Sequence, residues 1–499
     1  MAKSRKPAID ALFGREREVA ALEEMSGSGR AEFFAIYGRR RVGKTFLIRQ
    51  FFQQRAAPYF EFTGQKDASL EVQLGNFREA LETTFYGSRR IPPLDSWSNA
   101  FKTLSAALET EPAPNEAARA VVFLDELPWM AVPKSGLIQA LDHIWNTQLS
   151  KRRQIILIVC GSAASWIINN LIQAKGGLHN RVTRQMRLLS FTLPQTRDYL
   201  AASKVKIGLR PAIELYMAIG GVPHYLNQVE RKLSVAQNIA KLCFSETGML
   251  RTEFTRLFAS LFGESEAYEK IVRSLATRRE GIRREELLES LRAESGGSIN
   301  RRLKELEEAG FIVRLTPYNK RTRDAAYRII DPYVYFYLSW IDKAPSGAFA
   351  GAGEKFWLQK IRTPAYLAWG GYTFENLCLT HFNLIEQALG LTHVASEVGS
   401  WRYSPPKKTA GQRGAQVDLL FDRDDGVITI CEIKFSTEPF SITKAYAKEL
   451  KDKLEAFASV TRTRKDLRLV LITSAGFKPN TWSEGLVDIA LDAETLFGR

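Results

Sequence analysis

Phe33-Phe34-Ala35-Ile36-Tyr37-Gly38-Arg39-Arg40-Arg41-Val42-Gly43-Lys44-Thr45 decides the fold of the first part of this chain. The apolar run Phe33 to Tyr37 predicts a buried strand, and the run that follows it, two glycines enclosing four residues and then Lys-Thr, predicts a phosphate-binding loop opening the helix Phe46 to Phe52. Gly38 and Gly43 allow the backbone to curl so that the amides of Arg39, Arg40, Arg41 and Val42 point inward at an anion. Lys44 is then expected to reach the β and γ phosphates of a bound nucleotide, and the Thr45 hydroxyl to bind Mg²⁺ at the start of the helix.

A second apolar run, Val121 to Leu124, ends in two acids. Acids at the end of a buried strand are costly unless a metal ion or water serves them. Asp125 is therefore expected as the second protein contact to Mg²⁺, and Glu126 as the base that polarises the attacking water. A third run, Ile155 to Cys160, leads to Gly161-Ser162; that hydroxyl is a candidate to sense the terminal phosphate or, equally, to cap the next helix. Arg181 is a candidate to reach a phosphate of its own or of a neighbouring subunit, with Arg184 and Arg187 competing for the role and a solvated basic face as the alternative.

Working outward, Pro58 to Thr63 and Arg187 to Phe191 complete a set of strands alternating with helices over residues 30–190, the mark of a parallel sheet covered on both faces. Residues 1–195 are thus expected as an α/β P-loop ATPase domain and 196–262 as a helical lid interrupted by Gly220-Gly221-Val222-Pro223. In 263–345, three short amphipathic segments (Tyr268 to Arg278, Arg283 to Arg292, Ser298 to Ala309) precede two short strands, the pattern of a winged helix-turn-helix. Its third segment offers Asn300, Arg301, Arg302 and Lys304 to phosphates or bases, or to a protein partner. The glycine-rich stretch 346–353 reads as a linker, and 346–499 as a last α/β domain.

In that last domain Val427 to Lys434 reads as a strand apolar on both faces, hence central, with Glu432 and Lys434 at its end. Such an acid and lysine need partners, and a divalent metal with a scissile phosphate supplies both. The turn Asp422 to Gly426 makes Gln416 to Phe421 and this strand a hairpin, which sets Asp418 beside Glu432. Glu375, an acid among apolar neighbours on an amphipathic helix, is the natural third carboxylate.

The first part resembles the AAA+-like archaeal-type ATPases of the STAND-related branch, on Phe13-Gly14-Arg15-Glu16-Arg17-Glu18, the Gly38 to Thr45 loop, Leu124-Asp125-Glu126, Cys160-Gly161-Ser162 and Gly220 to Pro223. That resemblance implies Phe13, Gly14 and Arg15 near the base or ribose of ATP. The C-terminal constellation resembles the PD-(D/E)XK nuclease superfamily, which implies Glu375, Asp418 and Glu432 as metal ligands and Lys434 as the residue orienting or activating the hydrolytic water. The order ATPase, winged helix, nuclease-like domain is similar to the same archaeal-type group.

At 499 residues the chain is too long for one core, and 70 Lys and Arg against 55 Asp and Glu leave +15, which attracts polyanions at long range. The four cysteines are far apart without a Cys-x-x-Cys pair, so they read as reduced core residues. No apolar stretch is long enough to cross a bilayer and Met1 to Pro7 lacks an apolar region, so neither membrane nor export is expected. The expectation is a prokaryotic cytoplasmic hydrolase, a candidate homo-oligomer. In it an ATP-binding and ATP-hydrolysing switch is coupled to cleavage of DNA with Mg²⁺ or Mn²⁺. The alternative is an ATP-controlled DNA- or protein-binding regulator with an inactive nuclease-like domain.

Overall fold

The computed structural model describes residues 12–53, 55, 58–110, 118–173, 180–292, 296–320, 324–345, 353–403 and 414–498. The basic N-terminus, the Gly176 to His179 run ahead of Arg181 and nearly all of the expected linker lie outside them. The chain divides into two compact units, Met1–Ser190 and Phe191–Arg499.

In the first unit, β1 (Glu32–Tyr37), β2 (Tyr59–Thr63), β3 (Ala120–Asp125), β4 (Ile155–Gly161) and β5 (Arg184–Arg187) form one parallel sheet in the order β2-β3-β4-β1-β5. Successive side chains of a strand point to opposite faces, so an all-apolar strand needs cover on both. β1 meets that requirement: Phe33 and Ala35 join one core with Phe60, Phe77 and Trp97, while Phe34 and Ile36 join another with Leu47, Phe51 and Val121. β5 departs from the expected Arg187 to Phe191. The edge strand is the alternating Arg184-Gln185-Met186-Arg187, whose charged side chains protect an unpaired edge. The apolar Leu188 and Phe191 are buried beyond the strand's end, where the Leu188 amide makes a last bond to the Tyr37 carbonyl of β1 and the Phe191 amide bonds the Gly221 carbonyl instead.

The second unit opens with helices at Leu193–Ala202, Leu209–Ile219, Val235–Phe244 and Glu253–Leu261. The backbone at Gly221 passes so close to Phe191 that a Cβ there would stand 1.9 Å from its carbonyl oxygen, which no other residue permits. Helices Ser265–Leu275, Arg284–Leu291 and Gly296–Glu308 follow, with an antiparallel sheet of β6 (Ile282–Arg283), β7 (Ile312–Leu315) and β8 (Ala326–Ile329) in the order β6-β8-β7. The short β6 is invisible in the sequence because two residues carry no periodicity.

A third sheet runs β13-β12-β11-β10-β9, built from β9 (Ser396–Tyr403), β10 (Ala415–Arg423), β11 (Val427–Lys434), β12 (Asp466–Thr473) and β13 (Ile489–Leu491). The hairpin β10–β11 is antiparallel, β11 and β12 are parallel, and the register of β9 on β10 shifts between Val417 and Leu420. Ile428, Ile430, Leu469 and Leu471 pack against Leu450 and Phe457 of the helix Lys444–Thr461. The helix Pro364–Thr380 also belongs to this unit. All four cysteines are buried and none is in a disulfide.

His381 gives this unit a pH dependence. Its Nε2 accepts the Leu193 amide at 3.0 Å and its Nδ1 lies 3.0 Å from the Leu377 carbonyl oxygen, so the neutral ring with hydrogen on Nδ1 fits both bonds. Burial lowers its pKa from 6.5 to about 4, against a smaller raising effect of the Leu377 carbonyl. The unfolded chain therefore takes up the proton first, and stability present at neutral pH is lost as pH falls through this window. Urea unfolding should show a loss of up to roughly 3 kcal/mol toward pH ~4. His381→Gln should remove that component of the pH dependence, and an unchanged acid limb would refute it.

Candidate functional site

The loop after β1 is shaped by contact as well as by conformation. Gly38 has φ +144°, and a Cβ on it would lie 2.3 Å from the Leu188 carbonyl oxygen. Gly43 has φ +99° and precedes the helix Lys44–Phe52, so it turns the chain from loop to helix where the helix N-terminus favours anions. Arg39, Val42 and Lys44 are buried; Arg40 and Arg41 are half-buried, Arg41 at φ +69°. The Lys44 Nζ donates to the carbonyls of Gly38 and Arg39 at 2.9 and 3.1 Å, which holds the ammonium against the loop where phosphate oxygens would be its stronger partners.

β3 lies two strands from β1, and its end brings Asp125 to this loop. The Thr45 Oγ1 donates to Asp125 Oδ2 at 2.8 Å. A hydroxyl and a carboxylate in contact are two hard oxygen ligands, which fits Mg²⁺, an ion usually held by one or two protein oxygens plus phosphates and water. Glu126 follows at φ 49°, ψ 49°, a left-handed conformation uncommon for a residue with a side chain. Its Oε2 accepts from the Ser162 amide at 3.0 Å and the Ser162 hydroxyl at 2.9 Å. Burial raises the Glu126 carboxyl above the usual range, while Lys44 and the Ser162 hydrogen bonds act in the opposite direction. Ser162 thus fixes the candidate base from the end of the neighbouring strand β4, in addition to either role expected for it.

Phe13 is half-buried, Gly14 and Arg15 are buried, and Arg15 Nη2 donates to the Val42 carbonyl at 3.0 Å, tying the N-terminal box to the phosphate loop. Among the three candidate arginines Arg184 is committed to Glu24 at 2.9 Å and Glu32 at 3.6 Å. Arg181 and Arg187 are exposed.

Residues 12–229 match the family model described as an ATPase domain predominantly from Archaea. This chain carries an archaeal-type P-loop ATPase domain. An uncharacterized protein of Methanocaldococcus jannaschii is 24% identical over 413 residues, 82% of this chain and 84% of its own, so that likeness runs beyond the ATPase domain. Among solved structures, a Walker-type ATPase of Pyrococcus abyssi is 18% identical with a TM-score of 0.47, covering 65% of this chain and 95% of its own. The ORC2 protein of Aeropyrum pernix, in ADPNP–ADP complexes, is 14% identical with a TM-score of 0.40, covering 72% and 98%. No helix among the described residues is long and apolar enough to cross a membrane.

The second cluster lies beyond the ATPase domain. β10 and β11 pair through Leu419 and Cys431, and the next residues in that register are Asp418 and Glu432. The irregularity opposite β9 falls between Val417 and Leu420 and so includes Asp418, a position where a bulge can re-aim a side chain. Asp418 accepts from Gln416 at 2.6 Å. Glu432 is buried and fully engaged: Lys434 stands at 3.0 Å, Lys453 at 2.6 Å, and the Tyr446 hydroxyl donates to its Oε1. Burial alone would raise the Glu432 carboxyl, but Lys453 and Lys434 hold it below the usual range. Glu375 is paired with Arg328 of β8 at 3.0 Å.

Two of the three metal ligands implied by the resemblance are therefore paired with protein cations, Glu432 with Lys434 and Lys453 and Glu375 with Arg328, while Asp418 is bound by the Gln416 amide. Among the described residues no three of His, Cys, Asp and Glu form a group that could hold a metal ion. The three acids still feel one another. Burial and then the charge of Asp418 push Glu375 up to about 7, while burial and then Glu432 raise Asp418. Among the described residues Glu375 has one oxygen, and Asp418 both, without a cationic partner, whereas Glu432 has both oxygens taken by Lys434, Lys453 and Tyr446.

Tyr446, Lys453 and Arg328 are absent from the sequence-derived set. Tyr446, Leu450, Lys453 and Phe457 recur at helical spacing, so Lys453 is a charge on an apolar stripe, a signal for a buried partner. Nothing in the sequence around Arg328 distinguishes it from other arginines.

Proposed function

We propose that this protein is an ATP-hydrolysing switch, acting in the prokaryotic cytosol, whose C-terminal domain cleaves phosphodiester bonds of DNA with a divalent metal. ATP is the nucleotide the archaeal-type ATPase domain implies. Thr45 and Asp125 would hold Mg²⁺, which supplies charge neutralisation for the phosphates. Lys44 and the loop amides orient the nucleotide, and Glu126 takes the proton of the attacking water, for which its raised pKa and fixed position suit it. In this reading residues 196–262 act as the lid, 263–345 as a winged helix-turn-helix and 346–499 as the nuclease-like domain.

The observation that carries the nuclease half is the convergence of Asp418, within β10, on Glu432 and Lys434 at the end of the adjacent central strand β11. Asp418 and Glu375 would hold Mg²⁺ or Mn²⁺, which supplies Lewis acidity at the scissile phosphate. Lys434, steadied by Glu432 and lying 4.7 Å from the Tyr446 ring centroid, orients the water. The test is a cleavage assay on DNA and RNA of several forms, with and without ATP and each metal.

A second reading, an ATP-controlled DNA- or protein-binding regulator with an inactive C-terminal domain, is favoured by the full occupation of Glu432 and by the Arg328–Glu375 pair. Metal-dependent cutting by the purified wild type separates the two.

Affinity for DNA should fall steeply between low and physiological salt as phosphates release counterions to the protein. In the third helix of the 263–345 segment, Arg302 is committed to Glu264 at 2.6 Å and to the Tyr268 ring, and Asn300 accepts from Arg284. Arg301 and Lys304 are the exposed cations of this helix. The double variant Arg301→Glu/Lys304→Glu should therefore weaken duplex binding by roughly ten-fold or more at low salt. Unchanged binding would assign this helix to a protein partner.

A further inference from the structure

Between the small antiparallel sheet and the third sheet, within the second unit, lies a cleft of about 420 Å³. Arg278, Arg283, Lys320 and Arg402 stand around it and are all substantially exposed, while buried Arg328 and half-buried Asp418 also line it. The four surface cations are brought from three places in the chain: the stretch leading into β6, the turn after β7, and β9. Their present partners are weak. Arg278 and Arg283 share Glu286 at 3.1 and 3.4 Å and Arg402 reaches Glu280 at 3.3 Å, exposed pairs of the kind that contribute little and that a phosphate can replace. Lys320 has no ion pair among the described residues.

Arg328 is a different kind of group. It is 5% exposed, donates from Nη2 to Glu375 and lies over the Tyr372 ring, yet its buried Nε has no hydrogen-bond partner. A guanidinium held this way keeps a fixed positive charge beside Asp418 and is incompletely satisfied by the protein alone. The cleft volume falls at the lower end of the range that holds a nucleotide-sized ligand (~300–1,000 Å³). A duplex, whose two backbones are held apart by its base pairs, would meet only the mouth of such a cleft, whereas one nucleotide of an unpaired strand can enter it.

We propose that this cleft takes one unpaired nucleic-acid strand, its phosphates carried by Arg278, Arg283, Lys320 and Arg402 toward Asp418, with Arg328 of β8 as a positioning residue for Glu375. The inference rests on the phosphodiester-cleavage reading for what happens at Asp418, but the strand binding is separable from it. A consequence is that the carboxylate centre is composite: the small sheet, not only the C-terminal sheet, completes it.

The experiment uses the full chain in EDTA, so that binding is read without cutting, with a fluorescein-labelled oligothymidylate and a duplex of equal length titrated at several salt concentrations. Lys320→Gln/Arg402→Gln, two surface changes, should weaken single-strand binding by roughly ten-fold and flatten the slope of log K against log salt by about 1.4, while duplex binding is kept. Single-strand affinity and slope equal to wild type, or equal losses for strand and duplex, would overturn the proposal. Displacement of the strand by an acidic peptide at the same affinity would assign the cleft to a protein ligand and overturn it too. With Mn²⁺ added, wild type that cuts nothing while the variant still loses strand binding sinks the cleavage reading and leaves this one standing. Wild type and variant that cut single strands equally do the reverse. For Arg328, Arg328→Lys should restore part of the cleavage lost in Arg328→Gln at an unchanged urea midpoint; equal loss in both with a lowered midpoint would make it a purely structural residue.

Discussion

Glu126→Gln should bind ATP as wild type does and hydrolyse it on the order of 10² to 10⁴ times more slowly, the contribution expected of a positioned general base. The glutamine keeps the size of the side chain, and its amide oxygen can still accept from the Ser162 amide and hydroxyl, so the left-handed turn at this position is retained. What it loses is the ability to take a proton. Lys44→Ala should behave oppositely: the charge lost is one that phosphates feel in the ground state, so ATP binding itself should fail. Binding is read by fluorescent-nucleotide titration and turnover by phosphate release. Equal turnover by wild type and Glu126→Gln would refute the assignment of the base. Ser162→Ala offers an intermediate case, because it removes the hydroxyl bond to Glu126 and leaves the amide bond.

Asp418→Asn and Lys434→Ala should each abolish metal-dependent DNA cleavage, a loss of at least about 10²-fold, while ATP hydrolysis stays near wild type. Asp418→Asn removes a charge that a divalent cation needs, and Lys434→Ala removes the amine that Glu432 steadies. The carboxylate cluster and the phosphate loop belong to different compact units, so a change at one cluster should not reach the chemistry proposed for the other. Lys453→Ala is a useful companion. It should lower cleavage less than Lys434→Ala if Lys453 only balances the buried Glu432, and by a similar factor if both amines serve the reaction. A wild type that binds DNA and Mg²⁺ yet cuts nothing under any nucleotide condition would leave the binding-regulator reading.

The two clusters were legible in the sequence to different degrees. The phosphate loop is local: eight consecutive residues carry its glycines, lysine and threonine, and the strand before it is apolar on both faces, so little beyond the chain itself is needed to read it. The contact of Thr45 with Asp125 joins residues far apart in sequence, yet a parallel sheet brings the ends of its strands to one edge, and the pairing follows from that topology. Apolar Leu188 and Phe191 have the composition of a strand, yet the edge strand β5 lies before them, because burial needs only cover and the ladder needs only free amides and carbonyls.

By itself the sequence determined the parallel α/β core, the phosphate-binding loop and the hairpin that sets Asp418 beside Glu432, because periodicity, glycine placement and a two-stranded turn are all short-range constraints. Only the tertiary structure decided which cations buried Glu432 and half-buried Glu375 meet. Glu432 draws Lys453 and Tyr446 from a helix that begins ten residues after Lys434, and Glu375 draws Arg328 from a sheet 47 residues earlier in the chain. A buried charge has to find an opposite charge somewhere. Where it finds one depends on which elements pack together, and no local pattern in the sequence records that.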